Sequence, residues 1–148
     1  MADHAREQIR DKVVTKVTSL TTTGTRVYPS RKYPLDDDLF PGLCVYTLNE
    51  SIDEEEGKLA GIQFRSVDVV IEGYDALVAG LDDKLDDIAA EVETAIFADR
   101  FFTGLLKALD LTTTEIDLNV EAAKPVGMIK LTFKAQYLTA EGAPTVAL

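Results

Sequence analysis

The stretch GLDDKLDDIAAEVETAIF, residues 80–97, decides the fold because it places a long amphipathic helix between two groups of strands. Its apolar residues recur at intervals of three and four, which puts them on one face of an α-helix. That face comprises Leu81, Leu85, Ile88, Val92 and Ile96. Gly80 and Asp82 form a helix start, with Asp82 as the expected N-cap. The stretch predicts a helix over 81–98 that buries this stripe.

Four aspartates lie in the same helix, and they raise the question of a Mg²⁺ site: Asp82, Asp83, Asp86 and Asp87. A metal site needs carboxylates that converge on one point. At a helical rotation of about 100° per residue, these carboxylates instead spread along a flank beside the apolar stripe. Negative groups in the first helical turn gain about 0.3–1 kcal/mol each from the helix dipole. We interpret them as a solvated helix start, with a small metal-dependent hydrolase using Asp82–Asp87 as the alternative.

The strands before this helix form a hairpin. Residues 42–50 and 62–74 are rich in β-formers, and the acidic loop 51–61 joins them. Two such runs predict an antiparallel pair. In the second run, Val67, Val69 and Ile71 share one face, whereas Ile62 and Phe64 have the opposite parity. We therefore expect a β-bulge near Arg65 and Ser66.

After the helix, residues 100–109 suggest a shorter helical piece, and two alternating segments follow at 114–122 and 127–139. The last segment places five residues inward: Ile129, Leu131, Phe133, Ala135 and Tyr137. Strict alternation over this length is typical of a half-buried strand. The other sheet face, with Asp68, Glu72, Lys130 and Lys134, is expected to meet solvent or a neighbour.

The N-terminal region supplies a second helix, over 3–20, with Asp3 as the expected N-cap and a strand at 25–31 after it. Its apolar stripe is Ala5, Ile9, Val13, Val17 and Leu20. The predicted fold is α+β: a single, mostly antiparallel or mixed sheet of four to five strands with two main helices on one face. One domain spans 1–139, and a flexible tail spans 140–148.

Composition and single residues argue against several enzyme classes. The chain has 148 residues, 46% of them hydrophobic, with one cysteine and one histidine, so no internal disulfide is possible. A dyad of Cys44 and His4 would need the N-terminus to fold over a core strand, and no phosphate-binding glycine motif is present. We expect no secretory signal, membrane span, catalytic residue, metal or cofactor.

Charge is distributed unevenly along the chain. The net charge is −11, from +4 in residues 1–35, −17 in 36–121 and +2 in 122–148. This balance disfavours tight binding to nucleic acid. Tyrosine and arginine are enriched at protein interfaces, so we expect a subunit or partner interface in the N-terminal region. Its candidates are Arg6, Arg10, Arg26, Tyr28, Arg31, Lys32 and Tyr33.

Acidic loops are the second group of candidates. They comprise Asp36, Asp37, Asp38, Asp53, Glu54, Glu55 and Glu56. Neither loop has the residue spacing of a Ca²⁺ loop. In the first loop, Phe40 follows Asp36 and Asp38 where a ligand is expected, and Pro41 replaces the obligatory glycine. We interpret them as surfaces that face a charged partner or an acidic channel.

Six stretches together carry a resemblance to a known family. In chain order they read REQIRDKVVTKV, TTTGTRVYPSRKYPL, DDDLFPGLCVY, SIDEEEGKLAGIQFRSVDVVIEGY, LDDKLDDIAAEVETAI and MIKLTFKAQY. In order and spacing this pattern resembles the tail terminator proteins of long-tailed bacteriophages, the type found at the head-proximal end of the phage lambda tail. The likeness covers residues 5–139, and DLFPGLCVY is its most distinctive part.

The resemblance implies a structural role in a virion. Such terminators form a hexameric ring on the tail tube, stop further addition of tube protein and offer a joining surface to head-completion proteins. The implied partners are other copies of the chain, the tube protein and a head-completion protein, with DNA passing through the bore unbound. A ring needs head-to-tail contacts, for which the basic N-terminal region and an acidic loop of the next copy are suited. Another connector or tail tube subunit is the nearest alternative.

Overall fold

The computed structural model describes residues 2–29, 40–53, 61–76, 79–119 and 126–148. Two helices and five strands follow one another in this order: α1 (Ala5–Val17), β1 (Val27–Tyr28), β2 (Gly42–Asp53), β3 (Ile62–Ala76), α2 (Leu81–Phe97), β4 (Ala108–Asn119) and β5 (Val126–Ala140). The strands form one sheet with the order β1-β2-β3-β5-β4. β1 is parallel to β2, and the other neighbours are antiparallel. This mixed sheet with two helices confirms the predicted α+β class.

The hydrophobic core lies between the helices and one face of the sheet. The five residues predicted inward on β5 are all buried, as is the whole predicted stripe of α2. Along β3, Val67, Val69 and Ile71 face the same core. Alternation and helical periodicity located these residues because each element buries only one face. Neither α1 nor α2 is long and apolar enough to span a lipid bilayer.

Two glycines let α2 approach the sheet closely. A Cβ atom built on Gly127 would lie 2.5 Å from Cδ2 of Leu81, at the first turn of α2. A Cβ atom on Gly73 would lie 2.7 Å from Cγ2 of Ile88. Real Cβ atoms essentially never come so close, so the packing of α2 on β3 and β5 depends on these glycines.

Both predicted N-cap residues are wrong by one or two positions. His4, not Asp3, caps α1, and its Nδ1 accepts a hydrogen bond from the backbone N–H of Arg6. Gly80 occupies the N-cap position of α2 with φ 79° and offers no side-chain oxygen. Asp82 therefore lies inside the first turn, where its charge still interacts favourably with the helix dipole.

Two predictions for the segments in and beside the sheet are wrong. Residues 100–109 form no helix: turns lead from α2 into β4, which begins at Ala108. β3 pairs with β5 in unbroken register from Ile62 to Ala76, and the irregularity of the hairpin lies in β2, between Thr47 and Glu50. The described part of the first strand is short, because only Val27–Tyr28 pairs with β2.

The C-terminal segment folds back onto the domain. The carbonyl of Pro144 accepts the Ala5 N–H at 2.7 Å, and the N–H of Leu148 donates to the carbonyl of Leu138 at 2.9 Å. Thr145 O accepts a hydrogen bond from Nε2 of Gln8 at 2.7 Å. The first of these bonds satisfies the N–H of Ala5, a donor at the start of α1 that has no partner within the helix. The predicted flexibility of residues 140–148 is a separate property, which amide hydrogen exchange at Ala5 and Leu148 measures directly.

Candidate interaction surfaces

In the described part of the chain, the carboxylate of Glu50, near the end of β2, accepts hydrogen bonds from three side chains. Arg6 Nη1 donates to its Oε2 at 2.6 Å, and Arg65 Nη1 donates to the same oxygen at 3.1 Å. The hydroxyl of Tyr137 donates to the other oxygen, Oε1. The side chains of Glu50 and Arg65 are only 9% and 11% exposed. A single buried carboxylate thus joins α1 to three neighbouring strands.

Arg65 completes this network, which we call the Glu50 cluster: Arg6, Glu50, Gln63, Arg65, Tyr137 and Thr139. Its Nε donates to Thr139 Oγ1 at 3.0 Å, and its Nη2 donates to Gln63 Oε1 at 2.7 Å. Burial raises the pKa of the Tyr137 phenol, and the hydrogen bond to Glu50 raises it further. Both oxygens of the Glu50 carboxylate accept hydrogen bonds, so the Glu50 cluster connects α1 to β2, β3 and β5.

The predicted basic interface residues make contacts within their own chain. Arg6 belongs to the Glu50 cluster, and Arg10 lies 3.9 Å from Glu7. Arg26 donates from Nε to the carbonyl of Pro41 at 2.6 Å. Tyr28 is half-buried in β1. Arg31, Lys32 and Tyr33 lie outside the described residues, so the interface role of this group stays a prediction.

Most of the predicted acidic loop residues also fall outside the described part of the chain, namely Asp36, Asp37, Asp38, Glu54, Glu55 and Glu56. Asp53 is described, and it is exposed at the end of β2. The four aspartates of α2 are exposed as well. Among the described residues, a group of three carboxylates with oxygens within 4.8 Å of one another is instead formed by Asp3, just before α1, and by Glu7 and Asp11 within α1. Glu7 and Asp11 are four residues apart in the helix, which is the spacing that places two side chains side by side.

A second buried carboxylate lies on the sheet face opposite the helices. Glu72 is 5% exposed and accepts hydrogen bonds from the hydroxyls of Tyr46 and Tyr74. The prediction that Glu72 meets solvent or a neighbour is therefore wrong, because two tyrosines of adjacent strands enclose it. Burial, with the nearby Glu72 charge, raises the pKa of the Cys44 thiol to about 12. Cys44 is consequently protonated at neutral pH and unsuited to nucleophilic chemistry.

The edge strand β4 contains the longest exposed run among the strand residues that the structure describes. It pairs with β5 on one side, and all residues from 112 to 118 are exposed. Two of them are apolar: Ile116 is 54% exposed and Leu118 is 45% exposed. The sequence pattern indicated a strand with one apolar face, but nothing in it revealed that the helices leave this face uncovered.

Acidification is expected to destabilise the chain through its single histidine. Burial lowers the pKa of His4, and the charges of Arg6 and Arg65 lower it further. A proton on Nδ1 would remove the acceptor that caps α1, so the folded state favours neutral His4. This contribution is complete above the ordinary pKa of about 6.5 and is lost as pH falls from there through the lowered folded-state pKa.

Urea unfolding on the two sides of about pH 6.5 measures this loss. His4→Asn keeps an N-cap acceptor that does not titrate, so it is the matched variant. The native chain is expected to lose more stability than His4→Asn between the two pH values. Equal losses in both proteins would show that His4 does not contribute.

Similarity to known proteins is found among solved structures, but not among family models or curated sequences. No protein-family model matches this chain, and no curated protein matches it. Among solved structures, one chain of "Virion of native gene transfer agent (GTA) particle" aligns over 90% of this chain and 90% of its own length, at 20% identity and a TM-score of 0.47. A likeness at this level carries no argument about function.

Proposed function

We propose that this chain is a structural protein of a phage-like virion that forms a ring on the head-proximal end of a tail tube. In this role it stops tube growth and offers a joining surface to a head-completion protein. The supporting observation is the agreement between the element order α-β-β-β-α-β-β and the sheet-and-helix monomer that the sequence resemblance implies. The six resembling stretches map onto both helices and onto β1, β2, β3 and β5 of that fold.

Charge supports the same proposal. A chain with net charge −11 and exposed aspartates along α2 repels DNA, so a duplex can pass through a ring of such subunits without binding. Acidic residues 36–38 and 53–56 serve either this purpose or contact with a basic region of the next copy. Substituting Asp53, Glu54, Glu55 and Glu56 with serine tests both roles, since unchanged ring assembly and unchanged DNA passage would remove them.

The decisive experiment adds the purified chain to assembling tail tubes. Size-exclusion chromatography with light scattering, and electron microscopy, should show rings, and the rings should sit at one tube end and halt elongation. Growth that continues unchanged, with no density at either end, would overturn the proposal. Polymerisation of the chain alone into long tubes would identify a tube subunit, and binding only to the portal side would identify a connector.

The hydrolase alternative has its own measurement. A Mg²⁺ or Mn²⁺ ion held by Asp82–Asp87 would bind the folded state and raise the melting temperature. The proposed structural role predicts no such shift. A rise that disappears in Asp82→Asn with Asp86→Asn would favour the hydrolase.

A further inference from the structure

We propose that the exposed edge of β4 pairs with the exposed end of β2 in a second copy of the chain, so that one continuous sheet runs from subunit to subunit. This inference deepens the proposed function, on which the choice of a second copy rests. An exposed strand edge presents unpaired N–H and C=O groups, which are a template for another strand. Apolar side chains on such an edge make pairing more favourable, and β4 carries Ile116 and Leu118 there.

The chain supplies the complementary edge on the opposite side of the same sheet. β1 pairs with β2 only at Leu43 and Cys44, and among the described residues no strand covers the rest of that side. The end of β2 is exposed at Ser51, Ile52 and Asp53. Ile52 is 40% exposed and is paired with Arg65, which places it on the helix-bearing face. Ile116, paired with Ile129, points to that same face.

The directions of β4 and β2 also allow the two strands to pair between copies. Successive antiparallel pairs β2–β3, β3–β5 and β5–β4 make β4 run opposite to β2. A second copy set beside the first in the same orientation therefore presents its β2 antiparallel to β4, with both helix layers on one side. This is a head-to-tail contact, in which one patch meets a different patch, as closure of a ring requires.

The two edges cannot meet level with each other. Ile116 is level with Ile129, Gly73 and Leu43, where β1 already occupies the neighbouring position. Glu50, which lies beyond the reach of β1, is level with Ala135, six positions further along β5 than Ile129. Each copy must therefore shift along the strands by about 20 Å for every four strand spacings from β2 to the β2 of the next copy, which span about 19 Å. That shift tilts the strands by about 45°, at the upper end of the range that closed barrels adopt.

Charge disfavours one of the neighbouring registers. With Ile116 opposite Glu50, the exposed Thr114 faces Ile52 and Glu115 faces Ser51. Moving the partner by two residues would place Glu115 opposite Asp53, and like charges directly opposite are destabilising. A contact of this length is small for a stable pair of proteins, so it should be weak between two copies and persist when a ring closes.

Cysteine pairs test the contact under mild oxidation. Thr114→Cys and Ile52→Cys in one chain are expected to give a ladder of cross-linked oligomers on a non-reducing gel. Mixing the two single variants should give dimers only, and each single variant alone should give none. The matched control is Glu115→Cys with Ile52→Cys, because residue 115 points to the other sheet face; its yield should be about tenfold lower. The native Cys44 is buried and does not interfere.

Other results would overturn the pairing. Dimers of Thr114→Cys alone would show that β4 pairs with β4, and a ladder of equal yield in the control pair would show unspecific contact. No ladder in the Thr114→Cys, Ile52→Cys chain also overturns it, even when rings are seen by electron microscopy; the ring function would then stand on a different interface. A ladder without capping of tail tubes would retain the pairing and remove the terminator function.

Discussion

Replacing Glu50 with alanine is expected to lower the free energy of unfolding by about 3–5 kcal/mol, the usual loss when one partner of a buried ion pair is removed. The substitution leaves Arg65, 11% exposed, without its carboxylate, and leaves the buried Tyr137 hydroxyl without its acceptor. It also releases Arg6, and with it the first turn of α1, from β2. Urea unfolding followed by circular dichroism measures the change.

Two control variants make this result specific. Asp86→Asn removes an exposed carboxylate of α2 and should change stability by less than about 0.5 kcal/mol. Glu50→Gln keeps the side-chain shape and one acceptor, so it should lie between the native chain and Glu50→Ala. If Glu50→Ala behaves like Asp86→Asn, the Glu50 cluster does not hold α1 on the sheet.

Replacing Gly73 with valine should destabilise the chain by about 3 kcal/mol, at the upper end of the range for an overfilled core. A Cβ at this position would lie 2.7 Å from Cγ2 of Ile88 and 3.2 Å from Cγ2 of Ile129. Both neighbours are β-branched and stiff, so α2 itself must move away from β3. Gly73→Ala, with a single added carbon, should lose less in the same urea measurement.

A double-mutant cycle identifies the clash as the cause. Ile88→Leu moves the branch of the side chain away from its Cβ atom, where the contact with residue 73 arises. Gly73→Ala should therefore be less harmful in the Ile88→Leu background, with a coupling energy of at least about 0.5 kcal/mol. Strictly additive losses would show that the destabilisation comes from the backbone of β3 and not from α2.

Regions with one strong period were predictable from sequence. The stripe of α2 and the alternation of β5 each repeat over several turns or residue pairs, and both correctly marked the buried side. The structure of residues 100–109 was not predictable from sequence, because the stretch FFTGLL has the apolar spacing of a helix. In the structure Phe102, Thr103 and Gly104 all have positive φ, and the turn instead buries Phe102 and Leu106 in the core. Contacts with distant elements outweighed local propensity there.

Polar partners were even less accessible to prediction. Glu50 and Glu72 occur in strands with no feature that distinguishes them from exposed carboxylates such as Asp53. Arg6 looked like an interface residue because its type and its basic surroundings are common at interfaces. Its partner, Glu50, is 44 residues away in the chain, so the pair exists only once α1 is packed beside β2.

The amino-acid sequence by itself determined the α+β class, the two helices with their buried stripes and the uneven charge, because each depends on periodicity or on simple counts. Only the tertiary structure decided which carboxylates are buried and which strands lie at the sheet edges. Those properties depend on the strand order β1-β2-β3-β5-β4 and on how far the helices extend across it. A local pattern reports which side of a strand is apolar; what covers that side is set by distant parts of the chain.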